Sequence, residues 1–122
     1  MKGRRLSFDQ SAKLIAMASE ACHVLSMVNV TAANSNQEAQ MYATDFVKAF
    51  KAAGCTTDLL LPIPGLRPDV IGVHIGVTDI TNVPPAAIEL SKMLSVIGIK
   101  FMISPMEPGF IHSPVALVIG AK

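Results

Sequence analysis

Two short polar runs carry the side chains best suited to hold a small ligand. One is "AANSN", residues 32–36, with Asn34, Ser35 and Asn36; the other is "TDITN", residues 78–82, with Thr78, Asp79 and Asn82. Each follows an apolar, strand-like segment and precedes a helical one. Open α/β sheets bind ligands at such places, and a helix N-terminus there favours anions. Neither run has the glycines of a GxGxxG turn or the lysine of a phosphate loop, so the ordinary phosphate mechanism is missing. Helix capping competes with binding. Ser35 and Glu38 form an S-x-x-E capping box, and Asp79 and Asn82 stand where they would cap the next helix. Binding requires the two runs to meet at one edge of a sheet, which they do if the first and third strands are adjacent and parallel.

Other chemistry finds little support. His23, His74 and His112 share no metal-ligand spacing and have no carboxylate placed as a dyad partner. No metal site and no cofactor is expected, and His74 reads as a hydrogen-bonded core or interface histidine. The serines lack a G-x-S-x-G elbow, and no carboxylate pair is spaced for acid and base work, so no catalytic residue is assigned. Cys22 and Cys55 belong to no CxxC motif and read as buried free thiols suited to a reducing compartment. "EPGFIH", residues 107–112, would present Phe110 and Ile111 at a loop tip, either to a partner or folded back onto the sheet.

The elements that position these groups follow from periodicity. Residues 8–21 repeat apolar side chains at helical spacing behind Ser7 as N-cap, with Phe8, Ala12, Ile15 and Ala18 and the neighbouring Leu14, Met17 and Ala21 on the inner side. "HVLSMVNV", 23–30, reads as a buried strand. A second helix spans about 36–53 and stops at Gly54; "TDLLLPI" follows as a strand. "VIGVHIGV", 70–77, is the clearest strand, with Ile71, Val73, Ile75 and Val77 on an apolar face and Val70, Gly72, His74 and Gly76 on the other. Pro84 and Pro85 open a third helix, followed by "IKFMISP" and "PVALVIGAK" as strands joined by a hairpin or a longer edge connection.

The order α-β-α-β-β-α-β-β hides a repeat. A shift of 44 residues lays "FVKAFKAAGC" on "LSKMLSVIGI", matching Lys48 with Lys92 and Gly54 with Gly98. The fold class is therefore α/β: a single domain with a mixed four- or five-stranded sheet built from two βαβ-like halves. Right-handed crossovers put the second and third helices on one face. The N-terminal helix lies elsewhere, and it or a second copy of the chain would cover the glycine and His74 face.

Composition narrows the partners. The chain has 122 residues, enough for one core; 51% are hydrophobic, 16% are charged, and the mean hydropathy is +0.47. That much apolar surface predicts a homodimer or another protein partner. A net charge of +1 with one Tyr, five Phe and no Trp argues against nucleic acid. No apolar run reaches the roughly 18–20 residues of a membrane helix. "KGRR", residues 2–5, is either a solvated terminus or the flank of a preceding membrane segment.

Taken together, "RRLSFDQ", "NQEAQMYATDFVKAFKAAGC", "PDVIGVHIGV", "PPAAIELSKMLSVIGI" and "VALVIGAK" resemble a family of soluble domains without an assigned function. Bacterial membrane proteins carry these domains after one or more transmembrane helices. The resemblance spans essentially the whole chain. It implies the fold and a tether, places the domain in the cytoplasm as the tail of a membrane protein, and brings no catalytic residue. The function expected first is non-catalytic: sensing or self-association. A small-ligand or nucleotide module using the two polar runs is the alternative.

Overall fold

The computed structural model describes residues 4–25, 27–32, 37–60, 71–105 and 115–120. It has the expected element order: α1 (Phe8–Leu25), β1 (Met27–Ala32), α2 (Gln37–Ala52), β2 (Thr56–Leu60), β3 (Val73–Val77), α3 (Pro85–Val96), β4 (Phe101–Pro105) and β5 (Val115–Ile119). Helix α1 starts at a reciprocal cap. The Gln10 amide donates to Ser7 Oγ at 3.0 Å, and the Ser7 amide donates to Gln10 Oε1 at 3.0 Å. Its buried stripe of Leu14, Ala18, Ala21 and Leu25 continues past residue 21, so "CHVL" is helical and β1 begins later than the sequence suggested. A short apolar run satisfies either period; the helix takes it because Leu25 completes the stripe. Phe8 and Ala12, expected inside, are exposed, Phe8 at 91%.

The sheet has five strands in the order β2-β1-β5-β3-β4. Strand β1 runs parallel to β2 and to β5, β3 runs parallel to β4, and β3 meets β5 antiparallel. Thus β1-α2-β2 and β3-α3-β4 are two βαβ units of opposite direction, with β5 inserted between them. β4 and β5 are not a hairpin, because β3 separates them. The repeat extends to the helix ends. Gly54 (φ 87°) and Gly98 (φ 78°) follow α2 and α3 in left-handed conformation. The next amide reaches back over each turn, Cys55 N to Phe50 O at 3.0 Å and Ile99 N to Leu94 O at 2.9 Å. Both helices therefore end in the same glycine turn.

One face of the sheet carries the core. Val28, Val30, Ala32, Val73, Ile75, Val77, Val115, Leu117 and Ile119 pack into a single cluster with Phe46 and Phe50 of α2, Leu90 and Leu94 of α3, and the α1 stripe. Helices α2 and α3 share this face, as expected. Helix α1 does not cover the opposite face; it packs against α2 and α3 on the same side. Burying α1 there adds its leucines and alanines to an existing core, whereas the other face offers polar and small side chains. Among the described residues no helix is long and apolar enough to cross a membrane.

Candidate functional site

Alternation along each strand sends the remaining side chains to the second face. Register sets them in two rows that continue onto β2, where Asp58 stands opposite Asn29 and Leu60 opposite Thr31; across the other four strands they run as follows. Asn29, Ala116, Gly76 and Ser104 form one; Thr31, Val118, His74 and Met102 form the other. Asn29, Thr31 and Ala116 are fully buried, and Val118 and Gly76 are also buried. His74 and Ser104 are half-buried, and Met102 is exposed. The face therefore has a small, low floor at Ala116 and Gly76, with polar groups on either side.

The two polar sides differ. At the β3–β4 side, His74 Nε2 lies 2.8 Å from the Ile71 carbonyl, and Nδ1 lies 2.8 Å from Ser104 Oγ. A carbonyl only accepts, so Nε2 carries the proton, and in the neutral ring Nδ1 accepts from the Ser104 hydroxyl. Both ring nitrogens are satisfied, and His74 braces two strands, as its reading as a hydrogen-bonded histidine anticipated. At the β1 side, Asn29 Nδ2 and Oδ1 and Thr31 Oγ1 are buried with no hydrogen-bond partner in the protein. By contrast, Thr57, a buried hydroxyl at a helix-side position, donates to the Val28 carbonyl at 2.8 Å. Buried polar side chains in folded proteins nearly always find partners, so two orphans two residues apart on a central strand are unusual.

The sequence pointed elsewhere. Asn34, Ser35 and Asn36 lie outside the described residues. Thr78, Asp79 and Asn82 are all exposed. The meeting of the two runs required β1 and β3 to be adjacent and parallel; instead β5 lies between them, and β3 runs opposite to β1. The ends of β1 and β3 that lead into the two runs lie at opposite ends of the sheet, about 15 Å apart for strands of this length. Nor do Asp79 and Asn82 cap α3, which begins behind Pro84 with no side-chain cap. Asp79 Oδ1 instead accepts from the Thr81 hydroxyl at 2.6 Å and the Thr81 amide at 2.9 Å. Those bonds, the side-chain one foremost, hold its carboxyl below the usual range.

Three further groups that invited a functional reading have structural partners. Glu38 accepts from Arg4, whose Nη2 reaches Oε1 at 2.7 Å and the Gly120 carbonyl at 2.6 Å, with the guanidinium 5.0 Å from the Tyr42 ring centre. Arg5 forks onto Asp45 at 2.7 and 3.0 Å. The basic end of the chain is thus strapped to α2. Cys22 and Cys55 are not free thiols: they form a disulfide with Cα atoms 5.1 Å apart, and no free cysteine is left. Their separation in sequence hid this, because the packing of α1 on α2 brings them together. His23 is exposed, and His112 and the 107–112 loop lie outside the described residues. No group of three potential metal ligands occurs among the described residues.

Asn29 and Thr31 were missed as site residues, although a signal was present. "MVNVTA" alternates Val with Asn and Thr inside a strand read as buried on both faces, so each polar side chain should have demanded a partner. A scan against protein-family models finds no match, and searches of curated proteins and of solved structures find none either.

Proposed function

We propose that this chain is a non-catalytic binding domain that holds a small polar ligand against the second face of its sheet, at Asn29 and Thr31. The observation that carries this reading is the pair of buried side chains with no partner in the protein. Leaving a buried polar group unsatisfied costs about 1–3 kcal/mol, so two of them on one strand make sense if a ligand completes their bonds. The non-catalytic part of the reading draws on the Ser104–His74 pair. The imidazole is held at both nitrogens, and no acidic side chain is bonded to it. A thermal-shift screen of small polar metabolites tests the proposal. A ligand at 100 times its dissociation constant adds about 2.7 kcal/mol and raises the melting temperature by several degrees. The shift should vanish in Asn29→Ala and Thr31→Val. A screen without a hit, or hits indifferent to both substitutions, sinks the proposal.

A second reading, self-association or partner contact by a domain tethered to a bacterial membrane protein, is favoured by the apolar β4 edge. Ile71 and Met102 are 66% and 63% exposed beside His74, and Ile103 on the same edge strand is 39% exposed. Light scattering that reports a monomer from micromolar to millimolar concentration would count against it. The expected cytoplasmic placement rested partly on free thiols. The Cys22–Cys55 disulfide removes that support and favours an oxidising compartment, outside the cytosol.

A further inference from the structure

We infer that the chain has a second binding place, separate from Asn29 and Thr31: a cleft at its basic end that takes a small organic carboxylate, with the anionic head on Arg4, Arg5 and Lys100. The cleft has a volume of about 320 Å³, at the lower end of the range for small-molecule pockets. Four parts of the fold build it: the segment before α1, helix α2, the start of β3 and the glycine turn from α3 into β4. Gly72 and Gly98 line it with backbone alone, and a Cβ added at either would meet nothing within 4 Å, so the space beside them is open.

Charge sets the ligand class. Arg4, Arg5 and Lys100 line the cleft, and among the described residues no acidic side chain does. The two arginines are paired on one edge only. Arg4 gives Nε and Nη2 to Glu38 and to the Gly120 carbonyl, and Arg5 gives Nε and Nη2 to Asp45. A guanidinium has five donors, so each arginine keeps its Nη1 group for a further acceptor while its carboxylate holds it in a fixed plane. Lys100 is exposed and has no hydrogen-bond or ion-pair partner among the described residues. Three positive charges against the carboxylates of Glu38 and Asp45 leave an excess of one, which suits a monoanion. A carboxylate accepts at both oxygens and so answers guanidinium and ammonium donors together.

A helix C-terminus ordinarily repels an anion, and α3 ends beside the cleft. Its last carbonyls are occupied. Leu94 accepts from the Ile99 amide at 2.9 Å, Ser95 from the Gly98 amide at 3.1 Å, and Ile97 from Gln10 Nε2 at 2.9 Å. The rest of the wall is apolar: Tyr42, Val73 and Ile99 are nearly buried and show only their edges. The body of the acid should therefore be compact and apolar, a single ring or a short alkyl chain.

The test uses the whole chain in protein-observed nuclear magnetic resonance at physiological ionic strength, following the backbone amides of Gly72, Gly98 and Lys100. Benzoate is the probe; benzamide keeps its shape without the charge, benzylamine reverses the charge, and phenyl phosphate carries a dianion. Benzoate is expected to move all three amides and to bind about tenfold more tightly than benzamide, the difference of one charge-assisted hydrogen bond. Lys100→Gln should weaken benzoate about fivefold, as befits an exposed charge, and Lys100→Arg should retain most of the binding. The melting temperature of both variants should stay at the parent value, because Lys100 is exposed and unpaired. Asn29→Ala should leave benzoate binding unchanged, and a loss there would overturn the separateness of the site. Benzamide or benzylamine binding as tightly as benzoate would overturn the inference, as would amide shifts indifferent to Lys100→Gln. Phenyl phosphate binding more tightly than benzoate, with the same dependence on Lys100, would overturn the carboxylate class. Three amides unmoved at millimolar benzoate would overturn the site altogether, whatever the outcome at Asn29 and Thr31.

Discussion

The two βαβ units share a plan and differ in how they are fastened. Around β1-α2-β2, the Cys22–Cys55 disulfide joins α1 to the turn before β2, Arg4 grips Glu38, and Arg5 grips Asp45. Around β3-α3-β4, α3 starts without a side-chain cap, a side-chain hydrogen bond from Gln10 Nε2 to the Ile97 carbonyl links its C-terminal turn to α1, His74 and Ser104 bond across β3 and β4, and β4 is an edge strand with exposed Met102 and Ile103. A repeat of topology does not impose a repeat of energetics. Backbone pairing and the glycine turns are common to both units, while covalent and ionic fastenings accumulate on the one that carries Asn29 and Thr31. Holding β1 rigid suits a strand whose buried polar groups must stay in place without internal partners.

The largest expected effect on this contrast comes from the disulfide. Replacing both cysteines with serine should lower unfolding free energy by about 2–4 kcal/mol, the usual range for a cross-link closing a loop of this size. Denaturant titration of the two proteins measures it. Amide exchange should be slower in β1 and β2 than in β4 in the parent chain, and the gap should narrow in the double variant. An unchanged midpoint would mean that the first unit owes its stability to packing alone.

Next in size is Arg4→Ala. Its partners are only partly exposed, with Arg4 and Glu38 side chains 19% and 25% accessible. Losing the fork onto Glu38 and the bond to the Gly120 carbonyl should cost about 1–2 kcal/mol after allowance for solvent screening. Arg5→Ala should cost less, because Arg5 is 55% exposed. A reversed order would show that the outer pair, not the inner one, holds the N-terminal strap.

The shared part of the plan gives a prediction of equality. An added Cβ at Gly54 or Gly98 meets nothing within 4 Å, so only the left-handed backbone opposes a side chain. Gly54→Ala and Gly98→Ala should each cost about 1–2 kcal/mol, the penalty of that conformation for an L-residue. Unequal costs would show that the two helix ends are alike in geometry only.

These glycines were legible in the sequence, because a helix stop is a local signal that survives comparison at a shift of 44 residues. The two βαβ units and the common face of α2 and α3 followed from the same reading. The strand order did not: nothing local in "VALVIGAK" says that β5 inserts between β1 and β3, and that insertion alone separates Asn34–Asn36 from Thr78–Asn82. The Cys22–Cys55 contact was hidden for the same reason, since it depends on how α1 lies on α2. Asn29 and Thr31 were visible as polar interruptions of an apolar strand, but only the burial of the second face, established by packing, turns them into an unmet demand.

The finest probe of the fastening is spectroscopic. Tyr42 is the chain's single tyrosine and there is no tryptophan, so phenolate absorbance reports one site. The residue is 6% exposed, and its ring is tilted against Phe46 at 5.1 Å between centres. Burial raises its pKa above the usual 10.0; the nearby Arg4 charge lowers it, and Glu38 and Asp45 add to the rise. The fold thus favours the neutral phenol. Stability from this group is complete below the unfolded value near 10.0 and is lost as pH climbs through the higher folded value. The folded chain should therefore titrate later than the urea-unfolded chain. In Arg4→Ala the midpoint should move higher again, because the positive charge that favours the phenolate is gone and the two carboxylates stay. A downward move would mean that Arg4 acts on Tyr42 chiefly by keeping water out, and the strap would then be a packing device with its ion pair as a by-product.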